Sequence, residues 1–190
     1  MKNIGTAIKL FAALTVLLGV IYPLLVTGVA QLAFAKKASG SLIVQDGKAI
    51  GSELICQKFD GDRYFWSRPS ASDYGAVPSG ASNLGPTSEK LKQQVQEREK
   101  QFRIKNELAD SVRIPSEMLF ASASGLDPHI SPRAAMLQVE RIAKVRNFDE
   151  ARKNQLTRLI SQIQEKPTLG VFGEERVNVL LLNLNLDKIQ

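Results

Sequence analysis

Hydrophobic and polar positions divide the chain into two very different parts. Residues 10–35 read LFAALTVLLGVIYPLLVTGVAQLAFA and contain no charged side chain, whereas every acidic residue lies after Lys36. A helix rises about 1.5 Å per residue, so about 20 apolar residues cross the hydrocarbon core of a bilayer. The pattern predicts a transmembrane anchor helix over residues 10–35, kinked at Pro23, with a short tail (1–9) before it and one soluble domain (36–190) after it.

A cleaved signal peptide is the alternative for this segment. Lys2 and Lys9 would form its positive n-region, and the Ala-Phe-Ala of residues 33–35 its cleavage site. The apolar run is longer than an h-region of about 7–15 residues, which favours an uncleaved single-pass anchor. Basic residues flank both ends, so charge alone does not orient it. We expect a cell inner membrane protein whose short basic N-terminus stays cytoplasmic and whose soluble domain is periplasmic.

Helix signals are frequent in the second part of the chain. Thr87 or Ser88 can cap a helix that begins at Glu89, and Ser131-Pro132 supplies a cap and a first helical residue for another. Asn147 with Glu150 three residues later is a capping-box-like start for a third helix. Its buried face is predicted at i, i+3, i+4 and i+7 spacing. That face comprises Leu156, Leu159, Ile160 and Ile163.

Strand signals are short. Apolar runs near 42–44 and 49–50 flank Asp46-Gly47, which is a hairpin signal. The tail at residues 175–187 alternates Leu and Asn in its second half and is predicted to be a strand. Together with the helices, these strands predict an α/β fold of the α+β type, in which one anchor helix precedes a small mixed sheet-and-helix domain.

Residues 59–88 show neither a helical nor a strand period. Segments of this length without regular structure are uncommon in compact domains unless they bind something or are disordered. Aromatic residues argue against disorder, and we expect an ordered binding loop. These aromatic residues are Phe59, Tyr64, Phe65, Trp66 and Tyr74.

Charge and cysteine content narrow the function classes. All 19 acidic residues and all but two of the 25 Lys and Arg residues follow the anchor, so this part carries an excess of four positive charges. Without a dense basic stripe and interleaved aromatic residues, this mild excess predicts no nucleic-acid binding. Cys56 is the only cysteine, which excludes an internal disulfide and a cysteine-rich zinc site.

The stretch SASGLDPHISP, residues 122–132, holds the only histidine. Asp127 and His129 could form an acid–base pair, but no G-x-S-x-G elbow and no H-E-x-x-H spacing accompanies them. A well-made turn, in which His129 bonds to backbone groups of the loop, explains the stretch more simply. A third reading is a polar ligand site, because the backbone N–H groups of Ser124-Gly125 could bind an anion. We predict no catalytic residue and no metal site.

Several motifs together resemble one family. In order and spacing they are similar to the C subunit of the bacterial Kdp complex, an ATP-driven potassium uptake system. The motifs are IGSELICQKF (50–59), YFWSRPSASDY (64–74), SGASNLGPTSEKL (79–91), SGLDPHISPRAAMLQVERIAKVRN (124–147) and LGVFGEERVNVLLLNLNLD (169–187). Cys56, Ala81, Asn147 and Glu175 stand where members commonly carry Gly, Gly, Gly and Pro.

The resemblance implies a non-catalytic accessory subunit of a potassium-transporting P-type ATPase. Its partners would be a potassium-selective channel-like subunit, a P-type ATP-hydrolysing subunit, a small membrane peptide subunit and membrane lipid. The family's C subunit is described as an assembly factor and as a catalytic chaperone that raises the ATP affinity of the P-type subunit. No cofactor would be tightly bound, and ATP would act through the complex.

The same resemblance implies nucleotide-binding candidates in this chain. They are Ser124, Gly125, Asp127, His129, Ser131 and Gln138. A periplasmic domain cannot meet cytoplasmic ATP, so direct contact and the predicted topology conflict. The alternatives from the residues alone are an independent membrane-anchored periplasmic hydrolase that uses Asp127 and His129, or a periplasmic or secreted binding protein.

Overall fold

A long apolar helical segment forms the start of the structure, a computed structural model that describes residues 2–189. Helix α1 (Lys2–Val16) continues through a π-helical turn (Leu17–Ile21) into α2 (Tyr22–Ala38). The π turn ends two residues before Pro23. In a regular α-helix the proline ring would clash with the carbonyl four residues earlier, and a wider turn relieves that clash. The predicted distortion at Pro23 therefore takes the form of a widened turn.

This segment is the one candidate membrane span within residues 2–189. Asn3–Ala38 is long and apolar enough to cross a bilayer, by length and composition. The predicted anchor at 10–35 lies inside it. Met1 and Gln190, the outermost residues of the predicted tail and domain, lie outside the described residues.

A β-hairpin completes the N-terminal unit, Met1–Ser52. Strand β1 (Leu42–Gln45) pairs antiparallel with β2 (Lys48–Ser52). The turn residues Asp46 and Gly47 have φ values of 50° and 76°. Positive φ at both central positions is the geometry that favours Asp-Gly in tight hairpins, so the predicted hairpin is confirmed.

The second unit, Glu53–Gln190, holds the remaining elements. Its sheet joins two short antiparallel strands in which His129 pairs with Asn178 and Ile130 with Val177. In chain order the elements are α3 (Glu89–Lys105), a 3-10 turn (Ser116–Met118), β3 (His129–Ile130), α4 (Pro132–Met136), α5 (Val139–Val145), α6 (Glu150–Ile163), β4 (Val177–Asn178) and α7 (Val179–Leu186). The fold is thus mixed α/β, as predicted.

Helices α4 to α7 enclose the core. Leu156 and Ile160 of α6 are fully buried, while Leu159 and Ile163 pack against the same core from its edge. The predicted inner face of α6 is confirmed. Among the largest buried core side chains are Phe65, Ile130, Ile142, Leu182 and Leu186.

The predicted C-terminal strand is wrong except at Val177–Asn178, which form β4. Residues 179–186 form helix α7, and Asn178 caps it by accepting a hydrogen bond from Leu181 N at 3.1 Å. Leucine favours helices more than strands, and a helix buried on most sides shows no clear amphipathic period. The two asparagines of the Leu-Asn alternation stand in the helix because their side chains bond to backbone groups. Asn183 bonds to Phe65, and Asn185 bonds to Leu181.

The third helix start was also wrong in detail. Asp149, rather than Asn147, caps α6 and accepts a hydrogen bond from Arg152 N at 2.8 Å. Asn147 has φ 54° and ends α5, where its N–H bonds to Lys144 O and the next N–H to Ala143 O. This is the Schellman arrangement, in which Asn tolerates the left-handed conformation. The Ser88 and Ser131 caps are confirmed.

The long aromatic loop contains no helix or strand, as predicted, and buried polar side chains fix its path. Asn183 accepts from Phe65 N at 2.8 Å and donates to Phe65 O at 3.0 Å. Gln138 accepts from Trp66 N at 2.7 Å. These bonds satisfy backbone groups that a sheet or helix would otherwise pair, so an irregular segment can be buried at little cost.

Candidate functional site

The stretch that holds the only histidine is a tightly bonded turn at the start of β3. Asp127 Oδ1 accepts a hydrogen bond from His129 N at 3.0 Å, and Pro128 O accepts one from Val179 N at 2.9 Å. Ser131 Oγ caps α4 by accepting from Ala134 N at 3.1 Å. The Asp-x-His turn and the Ser-Pro helix start therefore position Asp127, His129 and Ser131 together.

Charged side chains of alternating sign form a row across this turn. Arg68 contacts Asp127 at 2.6 Å, and Asp127 lies 3.4 Å from His129 Nδ1. On the other side His129 Nε2 is 3.7 Å from Glu165, which pairs with Arg176 at 2.9 Å. The imidazole thus lies between two carboxylates, whereas the turn hypothesis expected it to bond to backbone groups.

Asp127 is held ionised by this arrangement. Burial by itself raises the pKa of its carboxyl group, but hydrogen bonds from His129 and from Arg68 outweigh burial and lower the pKa to about 2. Interaction with a cation and donated hydrogen bonds both favour the charged form. At neutral pH this carboxylate is an acceptor for cations and N–H donors and has no proton to give.

The row borders an open cleft of about 780 Å³. Three further cations line it without an ion pair to any described residue: Arg113, Arg133 and Lys166. Glu174 and Glu175 also line it. The cleft therefore presents both signs of charge, with free cations able to bind a carboxylate or phosphate group.

Ser131 does not act with the histidine. Its hydroxyl donates to Glu117 Oε1 at 2.5 Å. A serine nucleophile needs a base within hydrogen-bond reach, and Glu117 rather than His129 occupies that place. Within residues 2–189, the side chains of Asp127 and His129 make no hydrogen bond to a hydroxyl or thiol, and no group of three or more His, Cys, Asp and Glu could hold a metal ion.

Ser124 and Gly125 lie away from this cleft. Ser124 borders a separate surface hollow, and its carbonyl accepts a hydrogen bond from Gly80 N at 3.1 Å. Gly125 has φ 72° and lies so close to the neighbouring loop that a Cβ would meet Ser72 Oγ at 2.5 Å. Glycine here permits one loop to pack on another, an explanation that requires no ligand.

Gln138 is in the core. Its side chain is fully buried, accepts from Trp66 N and from Arg141 Nη2, and donates to Ala134 O at 3.2 Å. Of the six candidates, the structure brings together Asp127, His129 and Ser131. Ser124 and Gly125 lie in the preceding loop, where Ser124 borders another hollow, and Gln138 lies in the core.

Comparison with known proteins gives the family. The sequence model described as "K+-transporting ATPase, c chain" matches residues 4–188. A potassium-transporting ATPase KdpC subunit of Leptospira interrogans is 47% identical over 97% of this chain and 93% of its own length. Those of Polaromonas naphthalenivorans and Caldanaerobacter subterraneus are 48% and 45% identical, over 100% and 97% of this chain and 97% and 94% of their own lengths.

The chain belongs to the KdpC family. The match includes the candidate membrane span as well as the C-terminal unit, so this chain resembles these KdpC subunits over its entire architecture. The resemblance inferred from the five sequence motifs is confirmed.

Sequence reasoning missed most of the charged row in this KdpC chain. Arg68, Glu117, Glu165 and Arg176 come from four different segments and reach the turn only through the tertiary fold. No local spacing signals such contacts. The one available signal was charge: a turn with one Asp and one His in an otherwise neutral stretch suggests charged partners elsewhere in the chain.

Proposed function

We propose that this chain is a non-catalytic accessory subunit of a potassium-transporting ATPase. A single helix would hold it in the inner membrane, with a cytoplasmic N-terminus and a periplasmic C-terminal unit. The observation that carries the proposal is the family match over residues 4–188. The apolar helix Asn3–Ala38 supports the anchoring.

The partners would be a potassium-selective channel-like subunit, a P-type subunit that hydrolyses ATP and a small membrane peptide. A second hairpin, residues 165–176, in which Glu165 pairs with Arg176 and Thr168 with Phe172, supports docking on a larger protein. Leu169, Val171 and Phe172 are 85%, 76% and 66% exposed at its tip, next to the free charges of the 780 Å³ cleft. Apolar side chains with a rim of both charge signs are typical of protein interfaces. The two adjacent carboxylates, Glu174 and Glu175, disfavour an anionic lipid surface for the same tip.

The effect on ATP affinity would be indirect. ATP is cytoplasmic, so a periplasmic unit would act through assembly of the complex and through its membrane helix. The positions of Gly125 and Gln138 support this reading, because both have complete structural roles in loop packing and in the core. Substitutions at these two positions would then act through the packing of the chain, and no nucleotide contact would be lost.

Direct nucleotide contact is a second candidate, favoured by one observation. Arg113, Arg133 and Lys166 are free to bind phosphate groups in the cleft that Asp127, His129 and Ser131 border. Asp127 and Glu117 would repel the same groups. The candidate also requires a cytoplasmic C-terminal unit, so membrane topology separates the two proposals.

The test compares the complete purified complex with one that lacks this chain. We expect omission to abolish potassium-stimulated ATP hydrolysis, and the isolated chain to hydrolyse no ATP. A His129→Ala variant is the matched control for the hydrolase alternative. An accessory subunit carrying it should still support assembly, whereas an independent enzyme would lose its activity. Full potassium-stimulated turnover without this chain would contradict the proposal.

A further inference from the structure

A second cleft lies between the aromatic loop and helix α3, separate from the histidine turn. It encloses about 360 Å³, a volume within the range of small-ligand pockets. Its apolar walls come from both segments. They comprise Phe59, Trp66, Tyr74, Phe102 and Met118.

The walls of this aromatic cleft are fixed before any ligand arrives. Trp66 is held by Gln138 through its backbone N–H, by Phe102 in an edge contact at 6.3 Å and by Arg141, whose guanidinium lies 4.1 Å from the indole centre. Tyr74 donates its hydroxyl hydrogen to Arg68 O at 3.0 Å. A cleft whose walls are bonded in place loses little entropy on binding.

Four charged side chains line the aromatic cleft, and two of them form an ion pair. Lys105 and Asp62 neutralise each other at 2.8 Å. Arg98 and Asp60 remain, and within residues 2–189 neither makes an ion pair. Asp60 is exposed, so water screens its charge. Arg98 is half-buried, and burial lowers the pKa of its guanidinium.

Arg98 has unused hydrogen-bonding capacity. Its side chain donates one hydrogen bond, from Nη1 to Leu119 O at 2.8 Å, among the contacts of the described residues. A guanidinium has five N–H donors and prefers a planar, two-oxygen acceptor. A partly desolvated cation gains more from a counter-ion than an exposed anion does, so the cleft favours an anion over a cation.

We propose that the aromatic cleft binds a small apolar molecule or group that carries one carboxylate, with the carboxylate on Arg98 and the apolar body against Trp66, Phe102 and Met118. The carboxylate comes either from a free small molecule or from a chain of another subunit. This site is independent of the accessory role, because a single chain forms it entirely.

The test uses three probes with one apolar body and different heads: 3-cyclohexylpropionate, 3-cyclohexylpropanol and 3-cyclohexylpropylamine. Each is titrated into the full chain in neutral detergent. Trp66 is the only tryptophan and lines the cleft, so its fluorescence reports binding. Ligand-observed NMR runs in parallel, because a bound probe need not change the emission. We expect the propionate to bind about tenfold more tightly than the alcohol, and the amine most weakly.

Variants assign the preference to Arg98. Arg98→Gln should bring the propionate to the affinity of the alcohol without changing the alcohol. Lys100→Gln removes the same charge from an exposed position of the same helix and should leave all three affinities unchanged. Circular dichroism checks that both variants fold. Equal or tighter binding of the amine, or no saturable binding of any probe by either method, would overturn the proposal.

A final arm distinguishes the two sources of the carboxylate. The propionate is titrated into the assembled complex as well as into the single chain. Binding in both indicates a free small molecule as the natural ligand. Binding to the single chain alone indicates that another subunit fills the aromatic cleft with its own carboxylate on assembly.

Discussion

Single residues explain how the histidine turn is held without invoking a ligand. Asp127 accepts hydrogen bonds from His129 N and from Arg68, and Gly125 lets one loop lie against another. Both positions were candidates for nucleotide contact. Each contributes to the free energy of unfolding, which can be measured with Trp66 as the fluorescent reporter.

Asp127→Asn should reduce the acid sensitivity of the fold. The carboxyl group has a pKa of about 2 in the folded chain and about 3.9 when unfolded. A lowered folded pKa stabilises above the unfolded value, and this stabilisation is lost as pH falls from about 4 to about 2. Denaturant unfolding at pH 7, 4 and 3 should show a lower free energy of unfolding at pH 7 for the variant and a shallower loss below pH 4. Asp110→Asn, at a fully exposed side chain, is the control. Parallel profiles for Asp127→Asn and the unchanged chain would contradict the assignment.

Gly125→Ala should destabilise the C-terminal unit by about 1–3 kcal/mol. Its Cβ would lie 2.5 Å from Ser72 Oγ and 3.1 Å from Gly80 O, at a φ of 72° that alanine rarely adopts. Gly80→Ala is the matched control, since a Cβ there meets nothing within 4 Å. Denaturant titration measures both. An unchanged free energy of unfolding for Gly125→Ala would show that the two loops separate easily, and would reopen a ligand role for this glycine.

Among the secondary-structure elements, those with complete local signals were predicted correctly. The Asp46-Gly47 hairpin and the helices capped by Ser88 and Ser131 each carry turn or cap chemistry within a few residues. Helix α7 was mistaken for a strand because its cap, Asn178, and its buried Asn183 bond to partners more than 100 positions away. The same limit applies to the site: Asp127 and His129 lie two positions apart in sequence, whereas their charged neighbours come from distant segments.

Asn178→Ala tests the start of α7. The side chain accepts from Leu181 N at 3.1 Å and donates to Glu53 O at 2.8 Å, and the residue is 2% exposed. The variant loses both the helix cap and the hydrogen bond to Glu53 O, so its free energy of unfolding should fall by about 1–3 kcal/mol. Asn154→Ala, at an exposed position within α6, should change the free energy of unfolding by less than about 0.5 kcal/mol. Equal effects of the two variants in denaturant titration would show that the cap does not stabilise α7.

For the whole molecule, the proposed accessory role combines a membrane anchor with a C-terminal unit that acts by contact with other subunits. The family match covers both units, and the exposed tip of the 165–176 hairpin is a surface available for such contact. The role depends on which side of the membrane the C-terminal unit occupies. A periplasmic unit cannot touch ATP, and a cytoplasmic unit could.

Cysteine labelling in intact cells decides this most directly. Cys56 is 4% exposed and is the only thiol, so Cys56→Ser removes the background and Asp110→Cys supplies a fully exposed reporter. Asn3→Cys on the same background reports the N-terminal side. The proposed topology predicts that a membrane-impermeant maleimide labels Asp110→Cys from outside and Asn3→Cys only after the inner membrane is permeabilised. The reverse result would place the C-terminal unit in the cytoplasm and contradict the periplasmic accessory role.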